Sequence, residues 1–122
     1  MYSHPMPNHH ERLRAIAEKV LPTGARLIAP SGEGDYVLLA SWKTGTDKTR
    51  PTKRSKTIRL AISEEAMADY TRGVEDERDN ADIRFEAALR ARLAAFEPTH
   101  DTPLGTEPPI ERWTINTIEL NG

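Results

Sequence analysis

The chain has 122 residues, with 17 Lys and Arg against 19 Asp and Glu, a formal charge of −2, a mean hydropathy of −0.65 and no cysteine. That length suits one domain with one modest core. The missing thiol excludes disulfides, cysteine nucleophiles, iron–sulfur clusters and cysteine zinc sites. No apolar run approaches the ~18 residues that span a membrane, and no signal-peptide pattern follows Met1, so the expectation is a small soluble cytoplasmic protein without membrane contact.

Residues 1–8 are polar and broken by proline, and are expected to form a flexible tail ahead of a single α+β domain over 9–122. Asn8 is a natural cap for a helix beginning at His9. Leu13, Ile16, Ala17, Val20 and Leu21 follow at the spacing of one helical face, and Pro22 and Gly24 end the pattern. Arg26 to Ala29 reads as a short strand and Tyr36 to Trp42 as a central one, apolar on both faces, with the turn-forming segment 30–35 between them. Lys43 to Lys56 is polar and basic, a long loop or the arm of a second hairpin. Thr57 to Ile62 alternates apolar and polar residues as a third strand does, so an antiparallel meander is expected.

Ser63 is placed to cap the next helix, with Glu64 and Glu65 at its positive end. Apolar residues keep a helical period from Met67 to Phe96, interrupted between Gly73 and Asn80, which predicts a break there. Residues 97–109 are proline-rich and form a loop. Ile110 to Leu120 reads as a closing strand. Trp113 and Ile115 share one parity whereas Ile118 and Leu120 share the other, so a bulge or bend is expected near Asn116. The order α-β-β-β-α(α)-β predicts a two-layer α+β fold: a mostly antiparallel sheet of about four strands with helices on one face.

Charge is the main functional signal. Lys43 to Arg59 holds seven basic residues against Asp47 alone, a balance of +6 that leaves −8 for the rest of the chain. Phosphate contacts require several Lys and Arg on a surface able to follow a backbone, which nominates Lys48, Arg50, Lys53, Arg54 and Lys56 for contact with nucleic acid or an acidic protein through residues 43–59. The segment holds no aromatic for base stacking, although Trp42 adjoins it. Glu75, Asp76, Glu77, Asp79 and Asp82 form an acidic stretch. It lacks the EF-hand pattern and reads as a solvated helix face, with a protein inhibitor or regulator acting as a nucleic-acid mimic, or a charge-paired homodimer, as alternatives.

No catalytic constellation emerges. The four histidines have no zinc-motif spacing. Segment 31–34 opens no helix, and Gly45 to Thr49 lacks the order of a phosphate-binding loop. Ser63 is explained as a cap, and no nucleophile elbow is present. No cofactor, metal or catalytic residue is assigned, and the protein is expected not to be an enzyme. The rival expectation is a ligand-binding or enzymatic pocket between helices and sheet, with Tyr36, Arg59, Tyr70 and Trp113 as candidate lining, although the aromatics fit equally as core.

The strand-to-helix junction Ile58-Arg-Leu-Ala-Ile-Ser-Glu-Glu-Ala66, the later helix through Phe85 and the closing strand around Trp113 together resemble small uncharacterised bacterial proteins of unknown-function families, over about half the chain. The resemblance implies a bacterial origin and an α+β fold, and carries no catalytic residue. The basic arm and the acidic stretch depart from the compact pattern of those families.

Overall fold

The computed structural model describes residues 9–29, 36–44, 54–100 and 106–122. The first element, α1 (His9–Val20), buries Leu13, Ala17 and Val20 on one face, as their spacing requires. Gly24, at φ +85°, supplies the left-handed turn that redirects the chain into β1 (Arg26–Ile28). The sheet continues with β2 (Tyr36–Ser41) and β3 (Thr57–Ile62). Then come α2 (Glu64–Arg72), α3 (Glu75–Ala95), β4 (Ile110–Ile115) and α4 (Thr117–Asn121).

The sheet order is β1-β2-β3-β4. The first three strands form the antiparallel meander, with Leu27 opposite Ala40 and Leu38 opposite Leu60. The last strand adds to its far side in parallel with β3, with Leu60 opposite Trp113. The parallel pairing follows from connectivity, because a helical crossover lets the chain enter β4 in the direction of β3. An isolated bridge between Lys43 and Arg54 extends the β2–β3 hairpin toward the basic arm.

The break between α2 and α3 falls at Gly73 and Val74, both extended, at the start of the expected interval. Ser63 Oγ accepts the Ala66 N–H at 3.2 Å and starts α2 as a cap. The closing strand differs from the expected one. It ends at Ile115, and Asn116 Oδ1 accepts the Glu119 N–H at 2.8 Å to start α4. The parity switch that reads as a bulge is therefore a change of period from two to 3.6. It buries Leu120 and leaves Ile118 73% exposed.

One core unites the inward faces of all four strands with the helices. Leu38, Ile58, Leu60, Ile62 and Ile115 meet Leu13, Ala17, Phe85 and Leu89, each at most 2% exposed. Burial of such a side chain contributes about 1.5–3 kcal/mol. Trp42, Phe96 and Trp113 stack edge to face with centroids 5.6 and 5.7 Å apart and belong to the same core. Ser55 is the buried polar residue among the described ones. Its hydroxyl accepts the Trp42 N–H at 3.1 Å and donates to the Lys56 carbonyl at 2.8 Å, so neither group is left unsatisfied.

The acidic stretch has a structural role. Arg12 of α1 reaches Asp82 Oδ2 with Nε at 2.6 Å, Glu75 Oε1 at 2.9 Å and Asp79 Oδ1 at 2.8 Å. Glu75, Asp79 and Asp82 lie at i, i+4 and i+7, one face of α3, so a single guanidinium clasps two helices. Burial works against the charge of Arg12, but the bonds to Asp82 and Glu75 outweigh it and raise its pKa. Tyr70 completes the network through its hydroxyl, which donates to Asp82 Oδ1 at 2.6 Å.

Candidate anion-binding face of the sheet

Alternation along the strands assigns each side chain to one of two faces. The inner face is the core. The outer face carries, across β1, β2, β3 and β4 in register, the row Ile28, Leu39, Arg59, Arg112. A second row is Val37, Ala61 and Thr114, and Arg26 pairs with Ser41 as Thr57 pairs with Ile110. Lys43 follows the same alternation beyond Ser41 and is exposed. The Arg54 guanidinium donates to Ser41 Oγ at 3.0 and 3.2 Å and to the Ser41 carbonyl at 3.1 Å, which holds it against this face.

Five of these outer positions are therefore cationic: Arg26, Lys43, Arg54, Arg59 and Arg112. None is acidic. Glu111 is the one carboxylate within the four strands, and it has inner parity, accepting Trp113 Nε1–H at 2.8 Å. Arg26, Lys43 and Arg112 form no ion pair with any described residue. Arg59 and Arg112 are register partners on adjacent strands, about 4.8 Å apart at the backbone. Neighbouring guanidinium forks at that spacing suit carboxylate or phosphate oxygens, which they bind in bidentate fashion. On the helical layer, by contrast, Arg12, Lys19, Arg72 and Arg90 pair with acidic residues.

The residues nominated from sequence fare differently. Lys48, Arg50 and Lys53 lie outside the described residues. Arg54 reaches the outer face with its guanidinium turned back onto Ser41. Lys56 donates its backbone N–H to the Pro98 carbonyl at 2.9 Å. Its charge acts on Glu97, which is held below the usual glutamate range first by hydrogen bonds from Thr99 and further by Lys56. Arg26 and Arg112 were not nominated. The signal was available in the alternation of Arg26 with Leu27 and of Arg112 with Trp113, which puts each arginine opposite a core side chain.

The four candidate pocket residues do not converge. Tyr36, Tyr70 and Trp113 are buried in the core, and Arg59 stands on the opposite face of the sheet. Burial raises the pKa of both tyrosines, and for Tyr70 the bond to Asp82 adds to the effect. The gap between helices and sheet, bounded by Leu38, Ile58, Leu89 and Trp113, amounts to about 10 Å³, room for no more than one water.

A larger polar cleft, about 510 Å³, lies between α2, α3 and α4. Its guanidiniums are engaged apart from Arg78 Nε, which is buried without a hydrogen-bond partner. Arg72 pairs with Asp69, Arg78 holds the carbonyls of Thr71 and Gly73, and Arg84 lies against the last turn of α4 at Asn121 and Gly122. It lacks the apolar lining of a ligand pocket. No group of His, Asp and Glu able to hold a metal ion occurs among the described residues, and no helix among them is long and apolar enough to cross a membrane. Comparison with protein-family models, with curated proteins and with solved structures found no match to this chain.

Proposed function

We propose that the protein is a non-enzymatic binding module that holds an acidic partner along the exposed cations at the rim of the outer face of its sheet, Arg26, Lys43 and Arg112. The observation that carries this reading is the segregation of charge: five cations and no carboxylate among the described outer-face residues, three of the cations exposed, against ion-paired acidic residues on the helical layer. The Lys43–Arg54 bridge continues the same sheet and adds both of its charges to the same field. The packed core and the absence of converging nucleophile, acid or base among the described residues favour contact over catalysis. The acidic stretch is a poorer candidate for a nucleic-acid mimic, because three of its five carboxylates bind Arg12 within the chain.

Fluorescence anisotropy against labelled heparin and labelled poly-glutamate, titrated from about 50 to 200 mM salt, tests the reading. Binding should weaken steeply with salt. The triple variant Arg26→Glu, Lys43→Glu, Arg112→Glu should abolish it, because all three side chains are exposed and reversal disturbs no described ion pair. Absence of binding to either polyanion at low salt would remove the proposal.

A further inference from the structure

The sheet ends on β4, whose far side pairs with no described strand. Two bonds fix the phase of its backbone. Thr57 N–H donates to the Pro109 carbonyl at 2.9 Å, and Ser63 N–H to the Ile115 carbonyl at 3.0 Å. Backbone groups alternate along a parallel ladder, so Pro109, Glu111, Trp113 and Ile115 turn toward β3, and Ile110, Arg112 and Thr114 turn toward the free edge. The Thr114 carbonyl accepts an Arg92 N–H at 3.0 Å. The N–H groups of Ile110, Arg112 and Thr114 and the carbonyls of Ile110 and Arg112 have no partner among the described residues. The three side chains are exposed as well, Ile110 at 55%. The opposite edge offers less: β1 has three residues, and its Leu27 carbonyl takes the Arg14 guanidinium at 3.1 Å. A bare edge is a template for another chain, and proteins shield such edges with charge, brevity or a covering element. An exposed isoleucine on the edge of β4 does the opposite.

We propose that β4 takes an extended acidic segment of a partner protein as a fifth strand, with a carboxylate of that segment beside Arg112. This rests on the proposed acidic-partner reading and specifies how the partner is held. Main-chain bonds to Ile110, Arg112 and Thr114 supply affinity, and the side chains beside them supply selectivity. A neighbour across the strands shares the face of Arg112 with Cβ atoms about 5 Å apart, within reach of its guanidinium. Arg112 forms no ion pair with a described residue, and the adjacent Glu111 has the other parity and accepts Trp113 Nε1–H at 2.8 Å. Ile110, two residues along on the same face, favours a β-branched or aromatic residue beside it. A second copy of β4 fits poorly. Antiparallel self-pairing centred on Arg112 opposes two guanidiniums, and centred on Glu111 it opposes two carboxylates. Centred on Trp113, it calls on the Thr114 carbonyl, which Arg92 occupies.

A labelled peptide of about nine residues, alternating valine and threonine around one central glutamate, is the probe. Two further forms carry backbone N-methyl groups on alternate residues, one set including the glutamate and the other its immediate neighbours. Only one edge of an added strand faces β4, so one methylated form should bind like the parent and the other at least about tenfold weaker, by anisotropy at about 150 mM salt. Arg112→Glu should weaken the parent peptide about fivefold or more, and lysine in place of the peptide's glutamate should restore binding to that variant. Hydrogen exchange at the Ile110, Arg112 and Thr114 amides should slow in the complex, whereas the Leu27 amide on the other edge should keep its rate.

Equal binding of the two methylated forms, unchanged exchange at Ile110 and Arg112, or indifference to Arg112→Glu, with poly-glutamate binding retained, would overturn strand addition and leave the acidic-partner reading standing. Absence of binding to peptide, poly-glutamate and heparin alike would overturn both. Tighter binding of duplex DNA than of the peptide would overturn it in favour of nucleic acid. A doubled mass in light scattering, with slow exchange at Ile110 and Arg112 before any peptide is added, would overturn it in favour of a second copy of this chain.

Discussion

Replacing Arg12 by alanine should destabilise the fold by about 2–3 kcal/mol. Most of this comes from the contact with Asp82, whose side chain is 19% exposed and whose two oxygens take Arg12 Nε and the Tyr70 hydroxyl, both at 2.6 Å. A hydrogen bond between charged groups contributes about 1.5–3 kcal/mol. The bond to Asp79 is open to solvent and adds no more than about 1 kcal/mol. Without the guanidinium, Glu75, Asp79 and Asp82 also face one another along α3, with Arg78 near Glu75 at 3.6 Å as the remaining cation. Urea unfolding followed by tryptophan fluorescence reads the change. In a thermal melt it corresponds to a fall of ~8–12 °C for a chain of this length. Arg12→Lys keeps the charge but not the fork and should recover less than half of the loss. A double-mutant cycle with Asp82→Asn should give a coupling of at least about 1 kcal/mol. A loss below about 0.5 kcal/mol for Arg12→Ala, or additivity in the cycle, would refute the clasp.

Acid should weaken the fold for a related reason. Asp69 is held below its usual pKa by bonds from Thr117 and Arg72, Glu75 by Arg12, and Glu86 by Lys19 and Arg90. Depressed carboxylates stabilise the fold above their unfolded values and lose that contribution as pH falls through the lower folded ones. The melting temperature should hold from neutrality to about pH 5. It should decline below the usual glutamate value of 4.5, less steeply in Arg12→Ala. Phe85→Ala removes a fully buried ring from the centre of the core and should cost about 3–5 kcal/mol by urea unfolding. Asn116→Ala deletes the cap of a five-residue helix, so hydrogen exchange over 117–121 should accelerate, with a global loss of about 1 kcal/mol.

Most of the architecture was legible because local pattern and tertiary role agree. The stripe from Leu13 to Leu21, the alternation from Thr57 to Ile62 and the cap at Ser63 each name an element and its buried side. The exception was the C-terminus. Residues Ile115 to Leu120 fit neither a strand nor a helix of ordinary length. The Asn116 cap decides, and a five-residue helix is too short to show a period. The candidate site was harder to read. Its charge lay partly in one run, 43–59, which was visible. Arg26 and Arg112, however, join that face only through β1–β2 pairing and through the parallel addition of β4. The acidic stretch looked solvated because its counter-ion, Arg12, lies more than sixty residues away in the chain.

The parallel addition of β4 also bears on how the chain reaches its native state. Both antiparallel pairings join strands close in sequence, and their loops can close early at small entropic cost. The ladder between β3 and β4 joins Thr57 to Ile110 and requires the intervening helices to turn the chain first. Trp42 and Trp113 stand on opposite sides of that delay, one at the end of β2 and the other in β4, both packed on Phe96. The ring of Phe96 is thus where the early hairpin and the late strand meet, and closure of that aromatic stack marks completion of the sheet.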